Sequence, residues 1–317
     1  MSPSLSRRGL LKASALALTA GAIGAAAPSA AALGPVRGTI IDFSSGIPSP
    51  AAIKRAGHIG AIRYVSNKRP GAAWMTGKPV TLQETAANAA AGLPTASVYQ
   101  FGRAETADWK QGAAGAAIHA PQAISLHKAA GGPTHRPIYI AIDDNPTREH
   151  YTQFIRPYLQ AFSKALSVAG YQTGVYGNYN TIEWASRDGI GTFYWMHDWG
   201  SNGKIHPKTT VPSLVGSEMC IRDRIHPKTT IHQLPQSRQQ TIENVIVDVN
   251  EVYASDWGQW TPGSKQPGIQ DLSSTLDKAI PNMPELPQVT ADGVSFKGSS
   301  LSNEQIRGLA DAAQDIA

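Results

Sequence analysis

The sequence is almost free of cysteine, since Cys220 is the only one among its 317 residues. A single thiol cannot form an internal disulfide bridge, so a disulfide-stapled scaffold is excluded. Hydrophobic residues make up 41% and charged residues 16% of the chain, as in ordinary soluble globular proteins. The length allows one large domain or two smaller ones.

The sequence also lacks a basic surface, although its formal net charge is +5. Residues 1–32 carry three basic residues and no acidic one, and residues 211–230 carry three basic against two acidic residues. The remainder holds 22 basic and 21 acidic residues. Nucleic acids and anionic membranes are recognised by clustered positive charge, so we predict neither as a partner.

Residues 1–32 have the pattern of an export signal. The stretch "SRRGLLK" precedes the apolar run "ASALALTAGAIGAAA", and small residues follow up to Ala32. Adjacent arginines before an apolar run are typical of a twin-arginine signal, and the small residues suit cleavage by a signal peptidase. The alternative is a transmembrane anchor, but the run is rich in Ala and Gly and is short of a full span. We predict an extracellular or cell-envelope protein with no membrane span after cleavage.

The hexapeptide "IHPKTT" occurs twice, at residues 205–210 and 225–230. Between the copies, "SLVGSEMCIRDR" resembles the conceptual translation of a transposon-end adapter used in preparing sequencing libraries. A structureless loop of about 20 residues is also uncommon in a compact domain. We therefore predict that residues 211–230 are an artefact of sequencing and duplication, so that Cys220 has no function. The alternative is a tandem-duplicated lid loop with a reactive thiol.

Between residues 33 and 260, short β-type runs alternate with helical ones. This order is typical of a parallel sheet, and eight such units close into a single (β/α)8 barrel of the TIM type, an α/β fold. The predicted strands are Gly38–Ser45, Gly60–Ser66, Pro94–Gly102, Arg136–Pro146, Gln172–Asn180, Gly191–Trp199, Ile231–Gln236 and Asn244–Tyr253. The predicted helices are Pro48–Gly57 with Ser49 as N-cap, Thr81–Gly92, Asp108–Ala130, Arg148–Gly170 and Thr181–Arg187.

Two details complete the prediction for the barrel. Pro121 and Pro157 are expected to break or kink the helices that contain them, because proline removes a backbone donor. The alternative fold is a doubly wound open sheet, but no Gly-rich phosphate loop follows the first strand. We predict no cofactor.

Residues 261–317 differ in character from the barrel. The stretches "TPGSKQPG" and "PNMPELPQ" are rich in proline, and Ser302 and Gln305 match a capping box at the start of a predicted helix. This tail is too small and too broken for a second core. We predict a proline-rich linker followed by a terminal helix.

Polar and aromatic side chains gather where the predicted strands end. The polar ones are Asp42, Asp143, Asn145, Asp198, Gln233, Asp248 and Asn250. The aromatic ones are Tyr64, Tyr99, Phe101, Tyr176, Trp195 and Trp199. In a β/α barrel the chemistry lies at the carboxyl ends of the strands. Carboxylates among aromatic rings suit a carbohydrate, because sugar faces stack on rings and acids act at the glycosidic bond. The alternative for each single Asp is a helix cap or a salt-bridge partner.

The order of the motifs gives a family resemblance. They are "IIDFSS", "IYIAIDDNP", "GVYGNY", "YWMHDWG", "HQ" and "VDVNEVY". Over about Gly38–Trp260 the chain resembles the glycoside-hydrolase-like barrel domain of actinobacterial exported proteins, a distant relative of the family 25 lysozymes, which cleave peptidoglycan glycan chains. The resemblance implies that Asp42, Asp143 and Asp248 match acids that line the lysozyme cleft. It also implies cell-wall polysaccharide as the partner.

One position departs from the lysozyme pattern. The lysozymes carry Asp-x-Glu on the fourth strand, with Glu as the proton donor, whereas this chain has Asp143, Asp144 and Asn145. Asparagine cannot donate a proton as a carboxylic acid does, and losing general acid catalysis typically costs about 10²–10⁴-fold in rate. Asp144 is adjacent, but alternation along a strand points it away from Asp143 unless a bulge re-aims it.

Three functions remain open. The first is an exported glycosidase acting on cell-wall glycan, with Asp143 as base or electrostatic stabiliser and Asp144 or Asp198 as acid, while Asp42 and Asp248 position and tune. The second is a non-catalytic glycan-binding or wall-regulating protein, which Asn145 favours. The third treats the aspartates as ligands of a divalent cation, but no spaced ligand motif supports it and we predict no metal. The expected substrate contacts are Asn145, Tyr64, Tyr99, Tyr176, Trp195, Trp199, Gln233 and Asn250. The oligomeric state is not predicted.

Overall fold

The computed structural model describes residues 33–199 and 225–264, and the backbone of three short strands between residues 288 and 302. The strands up to residue 252 are β1 (Gly38–Asp42), β2 (Ala61–Tyr64), β3 (Thr95–Tyr99), β4 (Pro137–Ala141), β5 (Gln172–Gly177), β6 (Phe193–Met196), β7 (Ile231–Gln233), β8 (Gln240–Ile242) and β9 (Val245–Val252). The helices are α1 (Pro50–Arg55), α2 (Leu82–Ala90), α3 (Gly112–Ala129), α4 (Arg148–His150), α5 (Arg156–Val168) and α6 (Tyr179–Arg187). Strands β1 to β7 and β9 pair in order around a ring that β9 closes onto β1. The predicted barrel is confirmed.

The strand that closes the barrel runs in the opposite direction to the others. β9 is antiparallel to both β7 and β1, whereas β1 to β7 are mutually parallel. The prediction of eight parallel strands was therefore wrong for the last one. A parallel return needs a crossover of a dozen or more residues, but β9 is reached through a hairpin whose turn residues, Glu243 and Asn244, have φ values of 48° and 65°. Positive φ at both positions is what a two-residue type I′ hairpin requires.

Local capping chemistry fixes where the first two helices begin. The Ser49 hydroxyl accepts a hydrogen bond from the Ala52 N–H, as predicted for the N-cap, and Pro50 occupies the first position of α1. The Thr81 hydroxyl accepts from the Glu84 N–H at the start of α2. A side-chain oxygen satisfies backbone donors that have no partner within the helix, so these ends follow directly from the sequence.

The two predicted helix breaks have different outcomes. α3 continues through Pro121, so no break occurs there. The face of α3 around it carries the buried residues Ala116, Ala120 and Ala123, and this packing outweighs the loss of one backbone hydrogen bond. Before Pro157 the helix changes its hydrogen-bonding pattern without ending, because a π-helical turn, Tyr151–Ile155, joins α4 to α5 and places the proline in the first turn of α5. That position does not need a backbone donor.

Alternation along the strands separates an interior core from an outer layer. Side chains that pack against one another inside the barrel are Ile40, Ile62, Val98, Tyr139, Trp195 and Val252. Their neighbours along the strands, such as Ile41 and Ile140, pack on the outside against the helices and loops. Because inward positions recur at every second residue, Asp42 and Tyr64 point inward at the ends of β1 and β2.

One buried ion pair joins the outside of β2 to α2. Arg63 is fully buried, and its guanidinium pairs with the Glu84 carboxylate. It also donates to the backbone carbonyls of Phe43 and Gly77, and it lies over the Phe43 ring. One side chain therefore ties the loop after β1 and the loop before α2 to the barrel wall.

We expect Arg63→Met to lower the free energy of unfolding by about 3–5 kcal/mol, because the Glu84 carboxylate would stay buried without its counter-charge. Urea unfolding followed by circular dichroism measures the loss. Arg55→Met is the control, since Arg55 pairs with Glu243 at 3.9 Å on the surface, where an ion pair contributes about 0–1 kcal/mol. An equal loss in both variants would contradict this assignment.

The second copy of the duplicated hexapeptide packs against the barrel. Ile225 is buried, and the His226 Nε2 lies 2.9 Å from a Glu183 carboxylate oxygen. The Thr230 hydroxyl donates to the Tyr194 carbonyl at 2.9 Å. The predicted artefact span thus ends in six residues whose packing belongs to the fold. Because the two copies are identical, removing residues 205–224 leaves the same polypeptide as removing 211–230.

We expect the chain without residues 205–224 to fold with a free energy of unfolding within about 0.5 kcal/mol of the full chain, because the packed hexapeptide is retained. Urea unfolding of both forms measures this. Resequencing of the locus is the independent check, and we expect a reading frame 20 codons shorter. A large loss of stability on deletion would instead favour a genuine structural loop.

Three further strands occur in the tail: β10 (Gln288–Thr290), β11 (Gly293–Phe296) and β12 (Ser299–Ser302), each antiparallel to the next. They were not predicted, because short runs rich in Ser and Gly give a weak strand pattern. The predicted signal in residues 1–32 and the terminal helix after Ser302 lie outside the described residues. Within the described parts of the chain, no helix has both the length and the apolarity needed to cross a membrane.

Candidate functional site

The Asp42 carboxyl group, at the carboxyl end of β1, is buried with a relative exposure of 2%. Its Oδ2 accepts hydrogen bonds from Asn250 Nδ2 at 2.9 Å and from Gln233 Nε2 at 3.2 Å. Its Oδ1 accepts from the Tyr64 hydroxyl at 3.2 Å. Donors from β9, β7 and β2 therefore hold one carboxyl group, and these bonds compensate for its removal from water.

Asp248 lies directly opposite Asp42 in the antiparallel pair of β1 and β9. Opposed residues in such a pair have Cβ atoms about 4.5–5.5 Å apart, so the two carboxyl groups share one small region. Burial, and then the negative charge of Asp248, raise the pKa of Asp42 to about 8, although its hydrogen-bond donors oppose the shift. Asp42 is therefore largely protonated at neutral pH. Burial also raises the pKa of Asp248, whose Oδ1 accepts from Gln239 Nε2 at 2.7 Å.

Asp143 follows β4 and is held from three neighbouring strand ends. Its Oδ1 accepts from Trp199 Nε1 at 2.9 Å, and its Oδ2 accepts from Gln100 Nε2 at 2.8 Å. The Tyr176 hydroxyl lies 3.3 Å from the same Oδ1. Both oxygens are thus oriented by donors, which fixes the carboxyl group in place.

Tyr176 and Gln233 connect the surroundings of Asp143 to those of Asp42. The Tyr176 hydroxyl lies 2.7 Å from Gln233 Oε1, and the amide nitrogen of Gln233 donates to Asp42. On the other side, Trp195 Nε1 donates to Asn250 Oδ1 at 2.8 Å. We call this set the carboxylate network. Its members are Asp42, Tyr64, Gln100, Asp143, Tyr176, Trp195, Trp199, Gln233, Asp248 and Asn250.

Four of the predicted site residues are not members of the carboxylate network, and two of these, Tyr99 and Asp198, point away from the mouth. Tyr99 faces outward from β3, where its ring stacks on His119 at 5.4 Å between centroids. Asp198 has its Oδ2 3.7 Å from His232 Nε2. Both occupy outward positions next to inward ones, and a shift of one residue along a strand reverses the face to which a side chain points. The structure therefore removes Tyr99 and Asp198 from the candidate site.

Asp144 follows Asp143 just beyond the end of β4. Both residues line one small cleft together with Arg103 and Trp109. Trp109 Nε1 donates to Asp144 Oδ2 at 2.8 Å. Burial raises the pKa of Asp144 even though this hydrogen bond opposes the shift, and the negative charge of Asp143 adds to the rise. A carboxyl group of this kind can retain a proton for donation.

Asn145, at the position where the lysozymes carry Glu, has a structural set of partners. Its Nδ2 donates to the Trp199 carbonyl at 3.0 Å, and its Oδ1 accepts from Asn178 Nδ2 at 3.1 Å. Asn178 is in turn the N-cap of α6. The Asn145 amide thus ties the ends of β4, β5 and β6 together, and an amide has no titratable proton to give to a leaving group.

Residues 51–252 match the model of the Rv2525c-like, glycoside hydrolase-like domain family. The chain belongs to this family. A relative from Mycobacterium tuberculosis (strain ATCC 25618 / H37Rv), Rv2525c, is named as a candidate peptidoglycan hydrolase. It is 42% identical over 266 residues, which cover 81% of this chain and 99% of the relative. Crystal structures of Rv2525c, described as Tat-secreted, in complex with L-tartrate or HEPES match with a TM-score of 0.61 and 41% identity, over 71% of this chain and 99% of theirs.

Membership of the Rv2525c-like family confirms the resemblance stated from the order of the motifs. The match ends at the last residue of β9 and begins inside α1, so it includes every barrel strand except β1. The residues of the carboxylate network other than Asp42 therefore all lie within the matched span.

Sequence reasoning missed two inward residues at the mouth of the barrel. Gln100, which orients Asp143, follows the inward residue Val98 by two positions. His197 follows the inward Trp195 by two positions, is buried, and has its ring stacked on that of Trp199 at 4.9 Å. Burial lowers the pKa of His197 to about 4, so its imidazole is neutral. Extending the strand alternation beyond each strand end would have found both.

The described residues contain no group of three or more His, Cys, Asp or Glu side chains arranged to hold a metal ion. Asp42, Asp143 and Asp248 instead meet neutral hydrogen-bond donors. The structure therefore gives the cation-binding alternative no support.

We expect Asp42→Asn to raise the free energy of unfolding at pH 8–9 by at least about 1 kcal/mol, and we expect this gain to vanish toward pH 4. The pKa of Asp42 is raised in the folded protein, so its stabilising contribution is complete below the unfolded-state pKa of about 4 and is lost as the pH rises through about 8. Asparagine stays neutral throughout and still offers an oxygen to Asn250 and Gln233.

Urea unfolding at pH 4, 6, 8 and 9 measures this dependence. The exposed Asp188, at the end of α6, provides the control Asp188→Asn, for which we expect no such trend. A difference between Asp42→Asn and the unaltered protein that is constant with pH would show that Asp42 is ionised in the fold.

Proposed function

We propose that the protein is exported to the cell envelope and binds cell-wall glycan of the peptidoglycan type at the mouth of its barrel. The carboxylate network carries this proposal, because Asp42, Asp143 and Asp248 converge on one mouth from three distant parts of the sequence. Two facts support it. Rv2525c is described as Tat-secreted and is named as a candidate peptidoglycan hydrolase, and residues 1–32 have the pattern of a twin-arginine signal.

The network suits a polyhydroxyl ligand. Sugar hydroxyl groups need acceptors of fixed direction, and the Asp143 oxygens are oriented by Gln100 and Trp199 before any ligand arrives. Preorganised polar groups of this kind lower the cost of ordering the site on binding. Trp199 is partly exposed and offers an apolar ring beside them, whereas Trp195 and Tyr176 are buried and support the network from below.

Binding is favoured over cleavage by the lysozyme route because of Asn145. Both polar groups of its amide are engaged by Trp199 and Asn178, and asparagine supplies no general acid. The loss of such an acid typically costs about 10²–10⁴-fold in rate. The mouth thus retains the means to hold a glycan chain without the lysozyme proton donor.

A specific observation keeps hydrolysis as the second candidate. Asp144 shares a cleft with Asp143, and its raised pKa fits a proton donor while Asp143 serves as base or electrostatic stabiliser. In this mechanism Asp144 protonates the glycosidic oxygen as the glycosidic bond breaks, and Asp143 stabilises the positive charge that develops on the sugar. A water molecule then bonds to the anomeric carbon and returns a proton to Asp144, which completes hydrolysis.

We expect Asp143→Asn to weaken retention on insoluble peptidoglycan at least about tenfold, because an amide at this position places a donor against one of the donors that now orient the carboxylate. Sedimentation of the mature protein, without residues 205–224, with purified peptidoglycan measures retention. Asp188→Asn is the matched control and should bind like the unaltered protein. Undiminished retention of Asp143→Asn would remove the network from the binding site.

The same incubation separates binding from cleavage. Retention without new reducing ends supports the binding function alone. Release of reducing ends that is abolished in Asp144→Asn, while retention persists, supports the hydrolytic candidate. If the unaltered protein shows neither retention nor release of reducing ends, both functions are refuted.

A further inference from the structure

Lys78 is a buried lysine beside the carboxylate network, with a relative exposure of 4%. Its Nζ donates to the Gln100 carbonyl at 2.8 Å and lies 3.9 Å from the centre of the Tyr64 ring. The side chains of these two neighbours donate to the two central carboxyl groups, Gln100 to Asp143 and Tyr64 to Asp42. The Lys78 ammonium group therefore contacts both the residue that orients Asp143 and the residue that donates to Asp42.

The position of this ammonium group is unfavourable for folding. It has three N–H donors, and among the described residues a single backbone carbonyl accepts from it. Burial lowers the pKa of Lys78 to about 7, and the positive charges of Arg69 and Arg63 act in the same direction. The negative charges of Asp108 and Asp143 oppose the shift without cancelling it. The fold thus carries a desolvated cation that is incompletely bonded.

The lysine is also dispensable for local hydrogen bonding. The Gln100 carbonyl accepts a second hydrogen bond, from the Ser66 hydroxyl at 2.6 Å, so it would keep a donor if Lys78 were replaced. An apolar side chain of similar length would remove the buried charge and leave no polar group without a partner. Residues that reduce stability without serving the fold are typical of functional sites.

We propose that Lys78 is a positioning residue of the glycan site, which holds Gln100 against Asp143 and Tyr64 against Asp42. The proposal rests on the proposed function, since the positioned carboxyl groups are those that receive the glycan hydroxyls. The lysine does not touch the ligand; it acts by limiting the movement of the two side chains that orient these acceptors.

The test compares Lys78→Met and Lys78→Gln with the unaltered protein in two measurements. Retention on insoluble peptidoglycan should fall at least about tenfold in both variants. The melting temperature should stay the same or rise, because the buried charge is gone. This gain should be largest below about pH 7 and should vanish toward pH 10, since a lowered folded-state pKa makes the lysine costly only where the unfolded chain is protonated.

Lys54→Met is the matched control. Lys54 also donates through Nζ to a backbone carbonyl, that of Ala91 at 2.9 Å, but it is exposed. Ala91 lies shortly before β3, so this contact is at the end of the barrel opposite the mouth. We expect it to leave retention unchanged. Retention that is unchanged in the Lys78 variants would overturn the proposal. A fall in melting temperature that accompanies the loss of retention would show a structural role and would overturn it as well.

A measurement without ligand separates this proposal from the proposed function. The side-chain amide signals of Gln100 in ¹⁵N-labelled protein report its contact with Asp143, and we expect their hydrogen exchange to be at least about tenfold faster in Lys78→Met. If exchange accelerates but the unaltered protein binds no glycan, the proposed function is wrong and the positioning role stands. If exchange is unchanged, the positioning role is wrong whether or not glycan binds.

Discussion

The direction of β9 is the constraint on which the candidate site depends. Because this strand returns through a two-residue hairpin, its first half reaches the same mouth as the carboxyl ends of β1 to β7. Asp248 is thereby set opposite Asp42, and Asn250 comes within hydrogen-bonding distance of it. A parallel β9 would bring its last residues to this mouth instead. The acids would then not meet, and the Asp42 pKa would lose the contribution of its neighbour.

Neutral donors surround the acids at this mouth. Asp42 is held by two amides and a phenol, and Asp143 by an amide, an indole and a phenol. Such donors fix direction without the strong charge pairing that would make a carboxylate inert. The fold uses charge pairing elsewhere, as in the buried pair of Arg63 and Glu84 on the barrel wall. The acids at the mouth therefore differ from Glu84 in having neutral partners in place of a guanidinium group.

Much of the fold could be predicted because its determinants are local. Short β-type runs between helical segments predict the strands. Two adjacent residues, Ser49 and Pro50, are enough to predict where α1 begins. For two residues the strand was predicted correctly but the direction of the side chain was not. Tyr99 and Asp198 were assigned to the mouth, although each lies one position away from an inward residue. The orientation of β9 was missed because it depends on the length and turn of the β7–β9 connection. Lys78 lies in a loop without periodicity, and its contacts with Gln100 and Tyr64 exist only after the barrel has closed.

The hydroxyl of Tyr176 has a consequence for how the mouth can meet a ligand. It lies 2.7 Å from Gln233 Oε1 and 3.3 Å from Asp143 Oδ1, but a phenol carries one hydrogen and can satisfy one acceptor at a time. Asp143 Oδ1 already accepts from Trp199 Nε1, so the phenol hydrogen can pair with the nearer Gln233 oxygen and leave neither acceptor without a donor. A carboxylate oxygen has room for a second hydrogen bond. Under the proposed function, a sugar hydroxyl group would give its hydrogen to this remaining position on Asp143.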